Sequence, residues 1–158
     1  MIKMPSAFQV SDCIRRITRR ETSAKVLARP SAAKLLYGGT FHGGDKAVNA
    51  MCAADLALAA YTGAALSLIP AEAAQDRVKA GALDEMLAEN FAEVLNVLTR
   101  IFVVPETERV ALLEAILPPR TVPATLESGG APATVLRADY EVDIRGYGIG
   151  HLALWGPG

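Results

Sequence analysis

The clearest pattern of apolar and polar positions in this chain lies between Ala82 and Phe102. Apolar residues recur there at steps of three or four, which places their side chains on one side of an α-helix. This apolar side consists of Leu83, Leu87, Phe91, Val94, Leu98 and Ile101. The opposite side consists of Glu85, Glu89, Glu93, Asn96 and Arg100. The spacing therefore predicts a long helix that packs its apolar side on a sheet and exposes its polar side to solvent.

Other apolar patterns predict helices near the N-terminus and in the middle of the chain. The segment Ser6 to Arg20 should form an amphipathic helix. Its apolar side is predicted to be Phe8, Val10, Cys13, Ile14 and Ile17. Asp55 can cap a second helix, Leu56 to Ser67. The segment Ala71 to Lys79 fits either a helix or a loop.

Strands are predicted between these helices and after them. They are Thr22–Ala28, Lys34–Tyr37, Val48–Ala53, Arg109–Leu117, an alternating strand with Tyr140, Val142 and Ile144, and His151–Trp155. Gly38 to Asp45, Thr121 to Pro132 and the glycines at 146, 148 and 150 are rich in turn formers and indicate connections. The order of helix, strands, helices and strands predicts an α+β fold, in one domain that covers residues 1–158.

Length and composition agree with a cytoplasmic protein of one domain. The 158 residues can bury an adequate core, and much of the hydrophobic content of 51% is alanine. The strongest apolar run, Leu56 to Ile69, is too short to cross a bilayer. Four arginines, at positions 15, 16, 19 and 20, interrupt the N-terminal region where a secretion signal would need an apolar stretch. We therefore expect neither a membrane span nor export.

Charge and metal-binding residue types exclude several classes of function. The net charge of −1 favours no nucleic-acid partner, and we expect the arginine cluster to be a solvated helix face. Cys13 and Cys52 lack metal-ligand spacing and should be buried thiols. His42 and His151 are far apart in the sequence, and no metal site is predicted. A structural role is more common for a lone strand histidine such as His151 than a catalytic one.

Glu93 and Asn96 are the pair on which a functional hypothesis depends. Residues three apart on a helix are neighbours, so a carboxylate and a carboxamide should project together into solvent. Glutamate is ordinary on an exposed helix face. Asparagine is a mediocre helix former, and its place in the middle of a helix asks for an explanation. The helix alone leaves both a functional and a solvating role open.

This helix resembles the signature of the CheC/CheX/FliY family of response-regulator phosphatases. That signature is an Asp or Ser, three residues, Glu, two residues, Asn, and a Pro twenty-one or twenty-two residues later. Glu93 and Asn96 match its central pair, and Pro118 follows at the expected distance. Glu89 stands where the family has Asp or Ser, and Thr99 where a small residue is usual. The single copy of the motif is similar to CheX-like members.

The resemblance implies a fold, an activity and a partner. The fold would be a CheC-like domain, with a mostly antiparallel sheet packed against two long helices and dimerisation through strands. The activity would be hydrolysis of a phosphoaspartate on a CheY-like receiver domain in a two-component pathway. Asn96 would orient the attacking water, Glu93 would pair with a receiver lysine, and Glu89 and Arg100 would contact the partner. The receiver would bring its own Mg²⁺, so this chain would bind no cofactor.

Two other interpretations remain open at this point. The substitutions at Glu89 and Thr99 fit a CheC/CheX-like domain that binds a partner without catalysis. An unrelated ligand-binding or structural domain is the third interpretation.

Overall fold

The computed structural model describes residues 4–43, 48–102, 110–123 and 135–157. Within them the chain forms four α-helices and six strands in an α+β arrangement, as predicted. The helices are α1 Ala7–Thr18, α2 Leu56–Leu66, α3 Ala71–Ala80 and α4 Glu85–Leu98, and a 3₁₀ turn, Thr99–Ile101, continues α4. The strands are β1 Thr22–Val26, β2 Tyr37–His42, β3 Val48–Ala54, β4 Ala111–Ile116, β5 Val135–Ile144 and β6 Gly148–Pro157.

The six strands form one sheet in the order β1-β5-β6-β3-β2-β4. Every described pair of neighbouring strands is antiparallel. Helices α1, α2 and α4 cover one face of this sheet, where the alternating residues Tyr140, Val142 and Ile144 of β5 are buried beneath them. A smaller apolar cluster around Met51 and Trp155 lies on the other face. The predicted antiparallel sheet packed against helices is therefore confirmed.

Polar side chains define where the helices begin. Ser6 and Gln9 form a capping box at α1, since each side chain accepts a hydrogen bond from the backbone N–H of the other. Asp55 caps α2 by accepting from the N–H of Leu58 at 2.9 Å. Asp84 caps α4 in the same way. Because Asp84 occupies the cap, α4 begins at Glu85 and not at Ala82 as predicted.

The predicted face of α1 was wrong at one residue. Phe8 is 75% exposed, whereas Val10, Ile14 and Ile17 are buried as expected. Phe8 precedes Val10 by only two residues, which turns its side chain about 200° around the helix from the core. Phe8 is therefore part of the surface near the N-terminal end of α1.

The predicted bounds of two strands were also wrong, and close backbone contacts explain both. The second strand runs from Tyr37 to His42 and not from Lys34 to Tyr37, because Gly38 lies within the sheet. A Cβ atom on Gly38 would lie 2.5 Å from the carbonyl oxygen of Cys52, so the position excludes a side chain. The last strand begins at Gly148, and Gly150 lies inside it against Leu58 of α2. Residues 44–45 and 124–132 of the predicted connections lie outside the described residues.

Candidate functional site

Helix α4 packs its apolar side into the core as its periodicity predicted. Leu87, Phe91, Val94 and Leu98 are buried, together with Leu95. The ring of Phe91 meets that of Tyr37 edge to face, with centroids 6.3 Å apart. This packing determines which side of α4 faces outward.

The outward side of α4 carries the four predicted site residues. Glu89, Glu93, Asn96 and Arg100 are all exposed, the last of them on the 3₁₀ turn that continues the helix. None of the residues that the structure describes makes a hydrogen bond or an ion pair with the side chain of Glu93 or Asn96. The carboxylate and the carboxamide are therefore free to contact a partner, although their roles stay predictions.

Asn90 is a second asparagine within α4, and the sequence analysis did not single it out. Its side-chain amide donates hydrogen bonds to the carbonyl oxygen of Gly63, at 2.9 Å, and to the hydroxyl of Ser67, at 2.8 Å. These bonds join the middle of α4 to the C-terminal end of α2. They also explain an asparagine within a helix, and no such contact explains Asn96 among the described residues. The contrast between the two asparagines supports a role for Asn96 outside the fold.

The C-terminal ends of three helices meet beside this outward face. The thiol of Cys13 in α1 donates to the carbonyl oxygen of Val97 in α4, with a sulfur–oxygen distance of 3.8 Å. Burial raises the pKa of Cys13 to about 11, against a smaller opposing effect of the positive charge of Arg100, so the thiol stays protonated at neutral pH. Cys52 is buried and has its pKa raised to about 12 by burial. The prediction that both cysteines are buried thiols is confirmed.

A cavity of about 400 Å³ opens where these helix ends meet. It is lined by Arg16, Ile17, Arg19, Ala65, Leu66, Leu68, Val97 and Arg100.

The arginines of α1 form ion pairs within their own helix. Arg15 and Arg16 both pair with the carboxylate of Asp12. The hydrogen bond from Arg15 is the main cause that holds the pKa of Asp12 below its ordinary value. The arginines in and directly after α1 are exposed, as predicted for a solvated helix face.

The histidines have contacts that belong to the fold. Asp55, besides capping α2, accepts from the backbone N–H of His151 and lies 3.1 Å from its ring Nδ1. The ring Nδ1 of His42 lies 3.1 Å from the carbonyl oxygen of Gly43. In residues 4–43, 48–102, 110–123 and 135–157, no three His, Cys, Asp or Glu side chains converge on a point where a metal ion could bind. Within the same ranges no helix has the length and apolarity needed to span a bilayer.

Comparison with known proteins identifies the fold. No protein-family model matches the chain, and no curated protein matches its sequence. Several solved structures are similar to it over nearly its whole length, including the three that follow. FliM in a FliM–SpeE complex from H. pylori has a TM-score of 0.64 at 11% identity, over 96% of this chain and 81% of that one. Thermotoga maritima FliY has a TM-score of 0.59 at 11% identity, over 98% and 85%.

The third structure is the chemotaxis protein CheX from Vibrio vulnificus, with a TM-score of 0.51 at 12% identity over 93% of this chain and 90% of that one. Identities this low establish a shared fold alone. The motif in α4 resembles that of the same group of proteins. This resemblance depends on the spacing of a few residues, whereas the structural comparison depends on the path of the backbone. This chain has the CheC/CheX/FliY-type fold.

Proposed function

We propose that this chain binds a phosphorylated CheY-like receiver domain through the exposed side of α4 and promotes hydrolysis of its phosphoaspartate. The observation that carries the proposal is the pair Glu93 and Asn96. Both side chains are exposed on one helix face and have no hydrogen-bonding or ionic partner among the described residues. A fold shared with CheX and FliY supports the same partner class.

The chemistry of the pair suits a reaction in which the partner supplies most of the charge. Hydrolysis of an acyl phosphate forms a bond from water to phosphorus and breaks the bond to the aspartate oxygen, which leaves as a carboxylate. The Mg²⁺ and lysine of the receiver neutralise the phosphoryl oxygens, so a second protein need only position the water. The carboxamide of Asn96 can accept a hydrogen bond from that water and donate one without adding charge. Glu93 would pair with a receiver lysine and dock the helix.

A second candidate function is partner binding without catalysis. Two departures from the signature favour this candidate. Glu89 replaces its Asp or Ser, and Thr99 stands where a small residue is usual and donates its hydroxyl to the backbone carbonyl of Asn96 at 2.8 Å. The fold is also that of FliM, which the solved structure shows in a complex with SpeE. The third interpretation, an unrelated domain, loses its support because the fold is of the CheC/CheX/FliY type.

A dephosphorylation assay separates the two candidates. A CheY-like receiver is loaded with acetyl phosphate and Mg²⁺, the donor is removed, and release of inorganic phosphate is followed with and without this chain. Faster release supports the phosphatase. Unchanged release with measurable binding of the receiver supports the interaction domain. Absence of binding across a panel of phosphorylated receivers contradicts both.

Replacement of Glu93 by alanine should weaken docking more than turnover. We expect the Kd for the receiver to rise roughly three- to tenfold at low salt, because one exposed charge pair is lost. The effect should shrink in about 0.5 M salt, where charges are screened beyond a few ångströms. Isothermal titration at two salt concentrations measures this, and Glu72→Ala in the first turn of α3 is the matched control. A Glu93→Ala effect that is equal at both salt concentrations would argue against a charge pair.

Dimerisation through a strand edge stays a prediction. The sheet has β1 and β4 at its edges, and β4 is the edge that the C-terminal half of the chain contributes. An unpaired strand edge can pair with a second copy. Light scattering should show twice the monomer mass, and Leu113→Lys on β4 should lower the measured mass towards that of the monomer. A strict monomer at high concentration would remove this prediction.

A further inference from the structure

Leu68 has a backbone conformation that leucine rarely adopts. It follows α2 with φ at +58°, in the left-handed region where a Cβ atom is crowded. Its N–H donates to the carbonyl of Ala65, and the N–H of Ile69 donates to that of Ala64. This pair of bonds is the Schellman motif that ends many helices, and glycine is the usual residue at the left-handed position.

Within the described fold, the side chain of Leu68 makes no packing contribution that would compensate for the strain of its backbone. It is 79% exposed, so it adds little to the core. A strained backbone and an exposed apolar side chain at one position call for a reason outside folding stability. Contact with another molecule is such a reason, because it would bury the leucine.

Leu68 lies on the cavity where α1, α2 and α4 end, and this cavity is rich in positive charge. Arg16, Arg19 and Arg100 also line it. Arg16 is paired with Asp12. Neither hydrogen bonds nor ion pairs engage the guanidinium groups of Arg19 and Arg100 in the part of the chain that the structure describes. Arginines near helix C-termini interact favourably with the helix dipoles. This explains why positive charges occur here, but it does not explain the exposed Leu68 beside them.

The cavity also continues the outward face of α4 and reverses its charge. Glu85, Glu89 and Glu93 occupy the N-terminal part of that face, and Arg100 follows Asn96 after one helical turn. Asn96 therefore lies between an acidic half and a basic half. A partner that covers both halves can bind in one orientation only, because the reverse orientation would bring like charges together.

We propose that this cavity is a second docking site for the receiver, with Leu68 as its apolar anchor and Arg19 and Arg100 as its charged contacts. This inference rests on the proposed function, which identifies the partner as a receiver. The receiver surface that fits is acidic and has an apolar recess. Engagement of the two sites together would orient the phosphoaspartate over Asn96.

Two variants test the proposal against a receiver that carries Mg²⁺ and beryllofluoride, a phosphoryl mimic that is not consumed. Leu68→Gly should raise the Kd about tenfold, while the thermal midpoint of the variant stays the same or rises because the backbone strain is relieved. The double variant Arg19→Glu/Arg100→Glu should raise the Kd at least about tenfold at low salt and should reduce the salt dependence of binding. For Leu68→Gly, loss of affinity together with unchanged or higher stability is a result that damage to the fold would not produce.

Matched controls lie on other surfaces. Leu36→Gly removes another exposed leucine, 48% exposed, just before β2. Arg29→Glu reverses an exposed arginine beyond the far end of β1. We expect both controls to change the Kd by less than about twofold.

The outcomes distinguish this inference from the proposed function. If the wild-type chain binds the receiver and both test variants bind it equally well, the second docking site is wrong and the proposed function stands. If Leu68→Gly alone has no effect, the apolar anchor is wrong. If the variants change self-association in light scattering and leave receiver binding unchanged, the cavity binds a second copy and the inference is overturned. If no phosphorylated receiver binds the wild-type chain, the proposed function and the inference both fail.

Discussion

Replacement of Asn96 by alanine should slow receiver dephosphorylation about a hundredfold and leave the fold intact. The side-chain amide makes no hydrogen bond with another described residue, so under the proposed function its loss should remove only the positioning of the attacking water. A lost transition-state hydrogen bond of this kind is worth on the order of 2 to 4 kcal/mol. Single-turnover phosphate release at saturating concentrations of this chain measures the effect directly.

The same variant should not lose stability, because alanine is a better helix former than asparagine. Thermal melts of the wild-type chain and Asn96→Ala should therefore agree or favour the variant. Glu72→Ala, in the first turn of α3, is expected to change the rate by less than about twofold. Equal receiver lifetimes with the wild-type chain and Asn96→Ala would leave only the interaction domain.

Replacement of Phe91 by alanine should destabilise the whole chain by about 3 to 5 kcal/mol, as truncation of a large core residue does. Phe91 is 1% exposed and packs edge to face on Tyr37, so the change removes that contact and leaves a cavity between α4 and the sheet. Urea unfolding followed by circular dichroism measures the free energy of unfolding.

Met86→Ala is the control on the same helix, because Met86 is 59% exposed. We expect it to change the free energy of unfolding by less than about 1 kcal/mol. A loss for Phe91→Ala no larger than that of the control would mean that α4 does not pack on the sheet through this residue.

Helices were predictable from this sequence to the extent that they depend on local patterns. The buried and exposed sides of α4 follow from spacing alone, and the cap of α2 follows from Asp55. The second strand was misplaced because Gly38 and Gly39 indicate a turn when only their neighbours in sequence are considered. In the folded chain Gly38 faces the carbonyl oxygen of Cys52 across the sheet. That contact joins segments that no local pattern connects.

The candidate site also has a part that local sequence patterns predict and a part that they do not. Glu93 and Asn96 share a helix, so their proximity and exposure were predictable. The meeting of Leu68, Arg19 and Arg100 at one cavity was not, because these residues belong to the ends of three different helices. The apolar pattern does not predict the backbone strain at Leu68, because leucine is a common residue near the end of a helix.

The strand order has a consequence for how the chain folds. β1 pairs with β5 and β3 pairs with β6, so strands from the first third of the sequence need partners from its far end. Contacts between such distant segments slow folding, because a long loop must close before any of them forms. Helix α4 can form early from its own residues, but it packs on α2, and α2 in turn rests on β6 near Gly150. The position of α4 relative to the sheet is therefore completed late, when β6 has joined β3 and β5 and supports α2.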